Sequence, residues 1–545
     1  MSTLDTVDLG IIWNRLIAIT DELQAALIRT SFSTIVREGG DLSCVLFDGD
    51  ANAIAQGSYS LPSFTSTAPL TLRHMLAKIP PEALKDGDVV VTNDPWMGTG
   101  HLFDISVMRP VFRGRRLVGY TMSVTHLPDI GGDGWTPTSS EIYQEGLRLP
   151  ICKLVEAGSV NERIIELISA NVRTSEQVIG DIMANVTCNE VGGRLLLELL
   201  DEYQLESLDE VSRAIRLQSE TALGDALATL PDGVYRNSIE VEGQKGPVAT
   251  LSCAIDIRGR NVSMDFGGTS ASVPIGINVP YTYTRAIAIY ALKCLTVPLV
   301  PNNDGFSRPI DVVVPEGSIL GARHPAATAG RHTIGLYVAP LVFGALADVL
   351  PDRVPADAGM SNPMNMQGVN RRGEPFSLIF FCTGGFGAMA DGDGLPTLPF
   401  PSNMSSVPVE VWEDLTSVRI ECKRLLADSG GAGAYRGGLG QCIDLVNDTG
   451  NPLTVSFFGA RNDFPAMGLH GGKPGKRRQI WLNDTEVRSM SKYVLQPGDR
   501  IRTHEAGGGG YGDPRQRPRE RVLSDVAAGF VTRQAAKSDY GVDIG

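Results

Sequence analysis

Asn93-Asp94-Pro95-Trp96-Met97-Gly98-Thr99-Gly100-His101-Leu102-Phe103-Asp104 opens a passage that closes, two apolar runs later, on Thr125-His126-Leu127-Pro128-Asp129. The runs Ile105 to Phe112 and Leu117 to Val124 are strand-like, and Arg113-Gly114-Arg115-Arg116 between them reads as a turn, so the passage predicts a β-hairpin. Pairing Arg113 with Arg116 sets His126 opposite Phe103, between His101 and Asp104. Two of only seven histidines fall here, each in a His-x-x-Asp pattern. Two imidazoles and one carboxylate form the donor set of an open metal site, suited to Zn, Mn or Fe. A regular strand would put His101 and Asp104 on opposite faces, because the side-chain period is two. Gly98 and Gly100 predict a loop or bulge that re-aims His101. Asp129 is placed as a fourth ligand or as an acceptor for an imidazole N–H. The same spacing also fits two partly buried histidines bonded to neighbouring carboxylates, so at this point both readings stand.

Outward from the hairpin, Leu9, Ile12, Leu16, Ile19, Leu23 and Leu27 put an apolar stripe on a helix opening near Asp5 or Asp8. Asp41 to Gln56 reads as a second hairpin turning at Asp48-Gly49-Asp50. Helical spacing runs from Asn161 to about Leu227 and is broken by Pro231-Asp232-Gly233. Strands follow at Ala249 to Ile257 and Asn261 to Phe266, then helices at Arg285 to Leu295 and Ile334 to Leu350, then a polar Gly/Pro-rich passage from Pro351 to Pro375. The remainder carries short strands separated by Gly-rich segments, Ser429 to Gly440 and Gly507 to Pro514. The expected fold is α+β and multi-domain: an N-terminal α+β region over 1–230 carrying the metal-site hairpin, a central α+β domain over 231–420, and a β-rich region over 421–545. The glycine clusters contain neither GxxxxGK[ST] nor GxGxxG, so tight turns with positive φ are expected there rather than a phosphate cradle.

Composition narrows the function. At 42% hydrophobic and 20% charged residues the 545-residue chain is of ordinary globular type. A net charge of −14 argues against nucleic acid and anionic membranes as partners. The N-terminus lacks the basic start and apolar run of a signal peptide, and Ile334 to Leu350 falls short of the ~18 to 20 residues of a bilayer span; the chain reads as cytoplasmic. Eight scattered cysteines without Cys-x-x-Cys are expected as free thiols. Lesser candidates are Ser489-Met-Ser-Lys492, which matches Ser-x-x-Lys by pattern alone; Arg323-His324 and Arg331-His332, placed to meet an anionic group; and a charged cluster of Glu141, Glu145 and Arg148 beside the hairpin.

The segment Asn93 to Asp104 resembles the hydantoinase B/oxoprolinase family. The likeness continues through Thr125-His-Leu-Pro-Asp-Ile-Gly-Gly132, Glu141-Ile-Tyr-Gln-Glu-Gly-Leu-Arg-Leu-Pro150, Tyr435-Arg-Gly-Gly-Leu-Gly-Gln441 and Gly507-Gly-Gly-Gly-Tyr-Gly-Asp-Pro514, spanning nearly the whole chain. The resemblance implies one divalent transition metal, Zn or Mn or else Fe, held by His101, Asp104 and His126. It also implies a separate A-type subunit that binds ATP-Mg and phosphorylates the substrate, in a hetero-oligomer. The activity implied is ATP-dependent hydrolysis of a cyclic amide of hydantoin, lactam or oxoproline type, with Asp129 or Glu145 shuttling protons. The alternative is the large subunit of an acetone- or acetophenone-type carboxylase. One stretch departs from the oxoprolinase-like members, which tend to carry a histidine where this chain has Ser60-Leu61-Pro62-Ser63-Phe64.

Overall fold

The hairpin lies at the middle of a seven-stranded sheet, and its register explains what gathers around it. The computed structural model describes residues 6–243 and 246–544. Strands β1 (Leu42–Asp48), β2 (Ala53–Gln56), β3 (Val89–Thr92), β4 (Asp104–Arg113), β5 (Arg116–His126), β6 (Cys152–Glu156) and β7 (Ser159–Val160) pair antiparallel in the order β2-β1-β5-β4-β3-β6-β7. Both faces are covered, which is why these strands read as apolar runs without polar alternation. Cys44 and Leu46 pack against Leu16, Leu23 and Leu196 of the Thr6–Thr30 and Ser175–Glu202 helices. Val45 and Phe47 face Phe64 and Leu72 on the other side.

The register departs from the sequence expectation by one residue. Arg113 pairs with Arg116 and Phe112 with Leu117, but Val111 then pairs with Gly119, so Val118 is bulged out of β5. The bulge shifts every later pair, and His126 stands opposite Asp104 rather than Phe103. Gly119 beside it is pressed against the sheet, since a Cβ there would come within 2.5 Å of the Phe47 carbonyl oxygen.

A second sheet of four strands includes Gly233–Glu242, Pro247–Arg258 and Asn261–Asp265 and backs onto the Tyr281–Thr296 and Val338–Leu346 helices. The expected helix from Ile334 to Leu350 is two pieces, Arg331–Gly335 and Val338–Leu346. Pro340 in the first turn of the second piece has no N–H to carry the first one on. Inside the passage expected to be polar and irregular lies a strand, Met364–Val369. Its Met-Asn-Met-Gln sequence has little intrinsic strand preference; pairing on both sides, to Pro375–Phe380 and Leu453–Phe457, makes it one. That sheet is completed by Ser491–Leu495, and a five-stranded sheet beside it holds Val418–Leu425, Gln441–Asn447 and Arg500–His504. Two short helices, Arg519–Ala527 and Arg533–Ser538, follow the last strand.

The glycine clusters do something other than turn. Among Gly430 to Gly440 and Gly507 to Gly510 the backbone φ is negative throughout; positive φ occurs only beyond, as at Gly512. Here extended segments lie side by side at main-chain distance: Gly431 N donates to Gly508 O, Gly508 N to Gly438 O, Gly438 N to Phe386 O and Gly385 N to Ala506 O, each between 2.8 and 3.0 Å. Glycine is required there for close approach. All eight cysteines are free, and no helix among the described residues is long and apolar enough to cross a membrane.

Candidate metal centre

Three strands and one loop deliver the polar groups. Asp104 and His126 face each other across β4 and β5, and Leu42 pairs with Thr125, so Asp41 just before β1 is next in the row; the His126 amide donates to its carbonyl at 3.3 Å. His101 comes from the loop before β4. That loop is pinned by Asn93, whose side chain donates to Leu102 O at 2.8 Å and accepts from Leu149 N at 2.6 Å. Gly100 adopts φ +98°, and a Cβ on it would lie 2.6 Å from Arg331 Cδ. A left-handed glycine is therefore what lets His101 and Arg331 approach the same carboxylate.

The ligand atoms of His101, Asp104 and His126 lie within 4.8 Å of one another, and all three residues are buried. Their donor roles follow from their other bonds. His101 Nδ1 sits 3.1 Å from Ala329 O and His126 Nδ1 2.8 Å from Leu127 O; carbonyls only accept, so each ring carries its proton on Nδ1. Burial, followed by the Arg331 charge, lowers the His101 pKa, and burial with neighbouring His101 pushes His126 down to about 3. Both rings are neutral at pH 7, leaving an Nε2 lone pair on each. Neither Nε2 has a hydrogen-bond partner, nor does Asp104 Oδ1. His101 Nε2 and Asp104 Oδ1 stand 2.8 Å apart without hydrogen-bond geometry, lone pair toward lone pair. Such an arrangement is repulsive unless a cation lies between. The donor set fits a divalent transition ion on these grounds.

The other Asp104 oxygen is fully occupied. Oδ2 accepts from Arg331 Nη2 at 2.6 Å and from Thr99 Oγ1, while Arg331 Nε donates to Thr99 O at 2.6 Å. Burial alone would raise this carboxyl, but His101 and Arg331 outweigh it and hold it well below the usual range. Asp41 shows the opposite behaviour: burial and the Asp104 charge push it well up, and its Oδ1 is unpartnered. His332 Nε2 is likewise buried without a partner, its ring 5.1 Å from Trp135. Asp41, His332, Tyr283 and Trp135 line the same small cavity as the three donors, about 50 Å³, with Phe64, Phe381 and Leu336 giving it apolar walls.

Of the residues expected here from sequence, Asp129 and Glu145 are not brought to this cavity. Asp129 is fully buried beneath Arg173, accepting from its Nη1 at 2.8 Å and from Gly131 N at 3.2 Å. Glu145 Oε1 accepts from the Thr328 and Ala329 amides, each at 2.7 Å, and so fixes the segment whose carbonyl holds His101 and Trp135 Nε1. Arg331 does meet an anionic group, Asp104, whereas Arg323 pairs with Glu316 outside the site. Arg148 lies 3.8 Å from Asp94. Ser489 and Lys492 are not a pair: the hydroxyl meets Arg478 and the ammonium reaches Asp133 O. Asp41 was not singled out from the sequence, and His332 was singled out only with Arg331 as a group to meet an anion, not as a neighbour of the three donors. Asp41 carried a usable signal, because it begins the strand that neighbours His126.

Burial pushes the Glu145 carboxyl up to about 8 against the pull of the Ala329 and Thr328 amides. A carboxyl raised above its unfolded value of 4.5 binds its proton more tightly in the folded chain. Its stabilising contribution is complete below the unfolded pKa and is lost as pH rises through the folded one, at up to about 1.4 kcal/mol per pH unit. Glu145→Gln keeps the amide contacts and removes the titration. Its Tm should fall less than that of wild type between about pH 5 and about pH 8; parallel Tm curves over that window would contradict the assignment.

A family model described as hydantoinase B/oxoprolinase matches residues 5–514. Caprolactamase subunit beta of Pseudomonas jessenii is 30% identical over 100% of this chain and 97% of its own length. The crystal structure of ATP-dependent caprolactamase from the same organism superposes with a TM-score of 0.92 at 29% identity, covering 100% of this chain and 97% of that one. A nucleotide-free acetone carboxylase shares the fold, with a TM-score of 0.87 at 20% identity over 98% of this chain and 79% of that one.

Proposed function

Because the chain belongs to the hydantoinase B/oxoprolinase family, we propose that it is the B-type subunit of an ATP-dependent hydrolase of small cyclic amides, paired with a separate A-type subunit that uses ATP. The observation that carries this reading is the buried convergence of two imidazole lone pairs and a carboxylate oxygen on one point of a small apolar cavity. Whole-length likeness to caprolactamase subunit beta supports both the reaction class and the existence of a partner.

In this reading His101, Asp104 and His126 hold the ion, Zn or Mn by the nitrogen and oxygen donors, and Asp41 lines the same cavity. Bound there, such an ion supplies Lewis-acid polarisation of a carbonyl and acidifies water. Arg331 holds Asp104 ionised and aimed. Trp135, Phe64 and Phe381 exclude bulk water and orient a compact ring. His332, neutral and unpartnered at Nε2, accepts a proton from the attacking water or returns one to the leaving nitrogen. Asp129 and Glu145 act as positioning residues through Gly131 and Ala329. Leu61 to Phe64, where the chain departs from oxoprolinase-like members, form cavity wall, and this favours a less polar ring than 5-oxoproline.

Reconstitution tests the proposal. Combined with its A-type partner, ATP-Mg and a lactam and hydantoin panel, the chain should open at least one ring with ATP consumption and fix no labelled bicarbonate. ATP-dependent fixation of bicarbonate into a ketone without ring opening would place it with the carboxylases instead. Neither activity from metal-replete protein would overturn both readings.

A further inference from the structure

The five-stranded sheet gathers a second set of donor atoms on its outer face, the side away from Ile443, Leu445 and Ile501 in the core. Cys442 and Asp444 are two residues apart on the Gln441–Asn447 strand and so share that face. Cys422, on the edge strand Val418–Leu425, pairs with Asp444 just past a register shift that skips Glu421. The two sulfurs and a carboxylate oxygen lie within 4.8 Å of one another. Cys442 is buried and Cys422 half-buried, and neither sulfur takes part in a hydrogen bond among the described residues.

Register decides what can join the thiols. Cys422 stands opposite Asp444 and Cys442 opposite Arg424, so the two are diagonal neighbours. In a regular ladder their β-carbons are about 7 Å apart or a little less, whereas a disulfide needs about 3.5–4.5 Å. A bridging ion suits the spacing better, since two sulfurs bound to one zinc at ~2.3 Å stand roughly 3.8 Å apart. Asp444 is only half committed elsewhere. Arg502 Nε donates to its Oδ1 at 2.7 Å, but Nη2 reaches Oδ2 only at 3.4 Å. Asp104 divides its oxygens in the same way, giving Oδ2 to Arg331 and leaving Oδ1 free. A divalent ion with two thiolates and a carboxylate is left with one negative charge, and Arg424 and Arg502, both close to Cys442, offset it. Asp444 also borders a surface hollow of about 290 Å³ lined by Trp481, Asp484 and Arg500, which gives an ion a way in.

We propose that Cys422, Cys442 and Asp444 form a second metal site, for a thiophilic divalent ion of the zinc class, which clips the edge strand to its neighbour and leaves a fourth position for water. The site is separate from the metal cavity and stands whether or not that cavity opens cyclic amides. Each thiol gives its proton to solvent as the ion binds, and no oxidant is needed. Titration of the reduced full chain with Cd²⁺, whose bonds to thiolate give a sulfur-to-metal charge-transfer band, tests it. The band should saturate at about one equivalent with a Kd below about 1 μM. It should fall at least about tenfold in Cys422→Ala and in Cys442→Ala, and persist in His126→Gln and in Cys44→Ala, which breaks the buried contact between Cys44 and Cys188. In the unsubstituted chain, Zn²⁺ should slow alkylation of Cys422 at least about tenfold and leave that of Cys152, also half-buried, unchanged. No band at about 100 μM Cd²⁺, a band that survives both substitutions, alkylation of Cys422 unaffected by Zn²⁺, or a Cys422–Cys442 disulfide in the purified protein would each overturn the proposal. Should Cys442→Ala not fold, Cys422→Ala and the alkylation rates decide.

Discussion

On the proposed metal assignment, His126→Gln should lower divalent ion bound at the cavity from about one equivalent to below about a tenth and cut turnover of the reconstituted enzyme by about 10³ or more. The imidazole is the right place to cut because little else depends on it. Its Nδ1 holds one carbonyl, and the ring packs against Phe103 at 5.6 Å and Trp135 at 5.3 Å, a slot that a glutamine side chain largely refills. Asp104→Asn, the obvious alternative, is a poorer test. It leaves the Arg331 guanidinium buried against a neutral amide, and breaking a buried pair from one side costs about 3–5 kcal/mol. Metal loss and unfolding would then arrive together. Elemental analysis and thermal melting of His126→Gln separate them: an unchanged metal content refutes the ligand role, and a collapsed Tm refutes the claim that the ring is dispensable to the fold.

The second large effect lies far from the cavity. Gly385→Ala should destabilise the chain by about 4 kcal/mol or more, enough to leave it insoluble. A Cβ on Gly385 would fall well inside 3.0 Å of the Gly438 carbonyl oxygen, and Gly437 meets the Gly508 carbonyl in the same way. Neither obstacle is a flexible side chain. Both are main chain held in register by neighbouring hydrogen bonds, so the strain cannot relax by rotamer change. Gly373→Ala is the control: it sits at positive φ with nothing within 4 Å, and should cost only about 1 kcal/mol of backbone strain. Soluble expression and chemical denaturation of the two variants measure the difference.

Much of this was legible in the chain. The hairpin, the helices from Asn161 to Leu227 and the meeting of His101, Asp104 and His126 follow from periodicity and turn residues, which are local signals. The one-residue shift at Val118 was not legible, because the turn residues fix only the first pairs of the hairpin, and the bulge lies beyond them where Gly119 meets Phe47 of β1, a strand distant in sequence. Asp41, and the place of His332 beside the donors, were missed for a similar reason. Each reaches the cavity only through tertiary packing. The glycine clusters misled in a more instructive way: glycine is ambiguous between unusual φ and missing bulk, and only the packing of segments distant in sequence decides between them.

The anchoring of His101 to Ala329 and of Asp104 to Arg331 spans more than two hundred positions of the chain. On the ribosome, therefore, the three donor residues emerge long before the groups that fix their protonation and aim. During that interval the nascent hairpin has no guanidinium to aim Asp104 and no carbonyl to set the His101 tautomer. The three side chains are therefore gathered and aimed only once that later stretch is in place, and a product truncated before Ala329 lacks the contacts that order them.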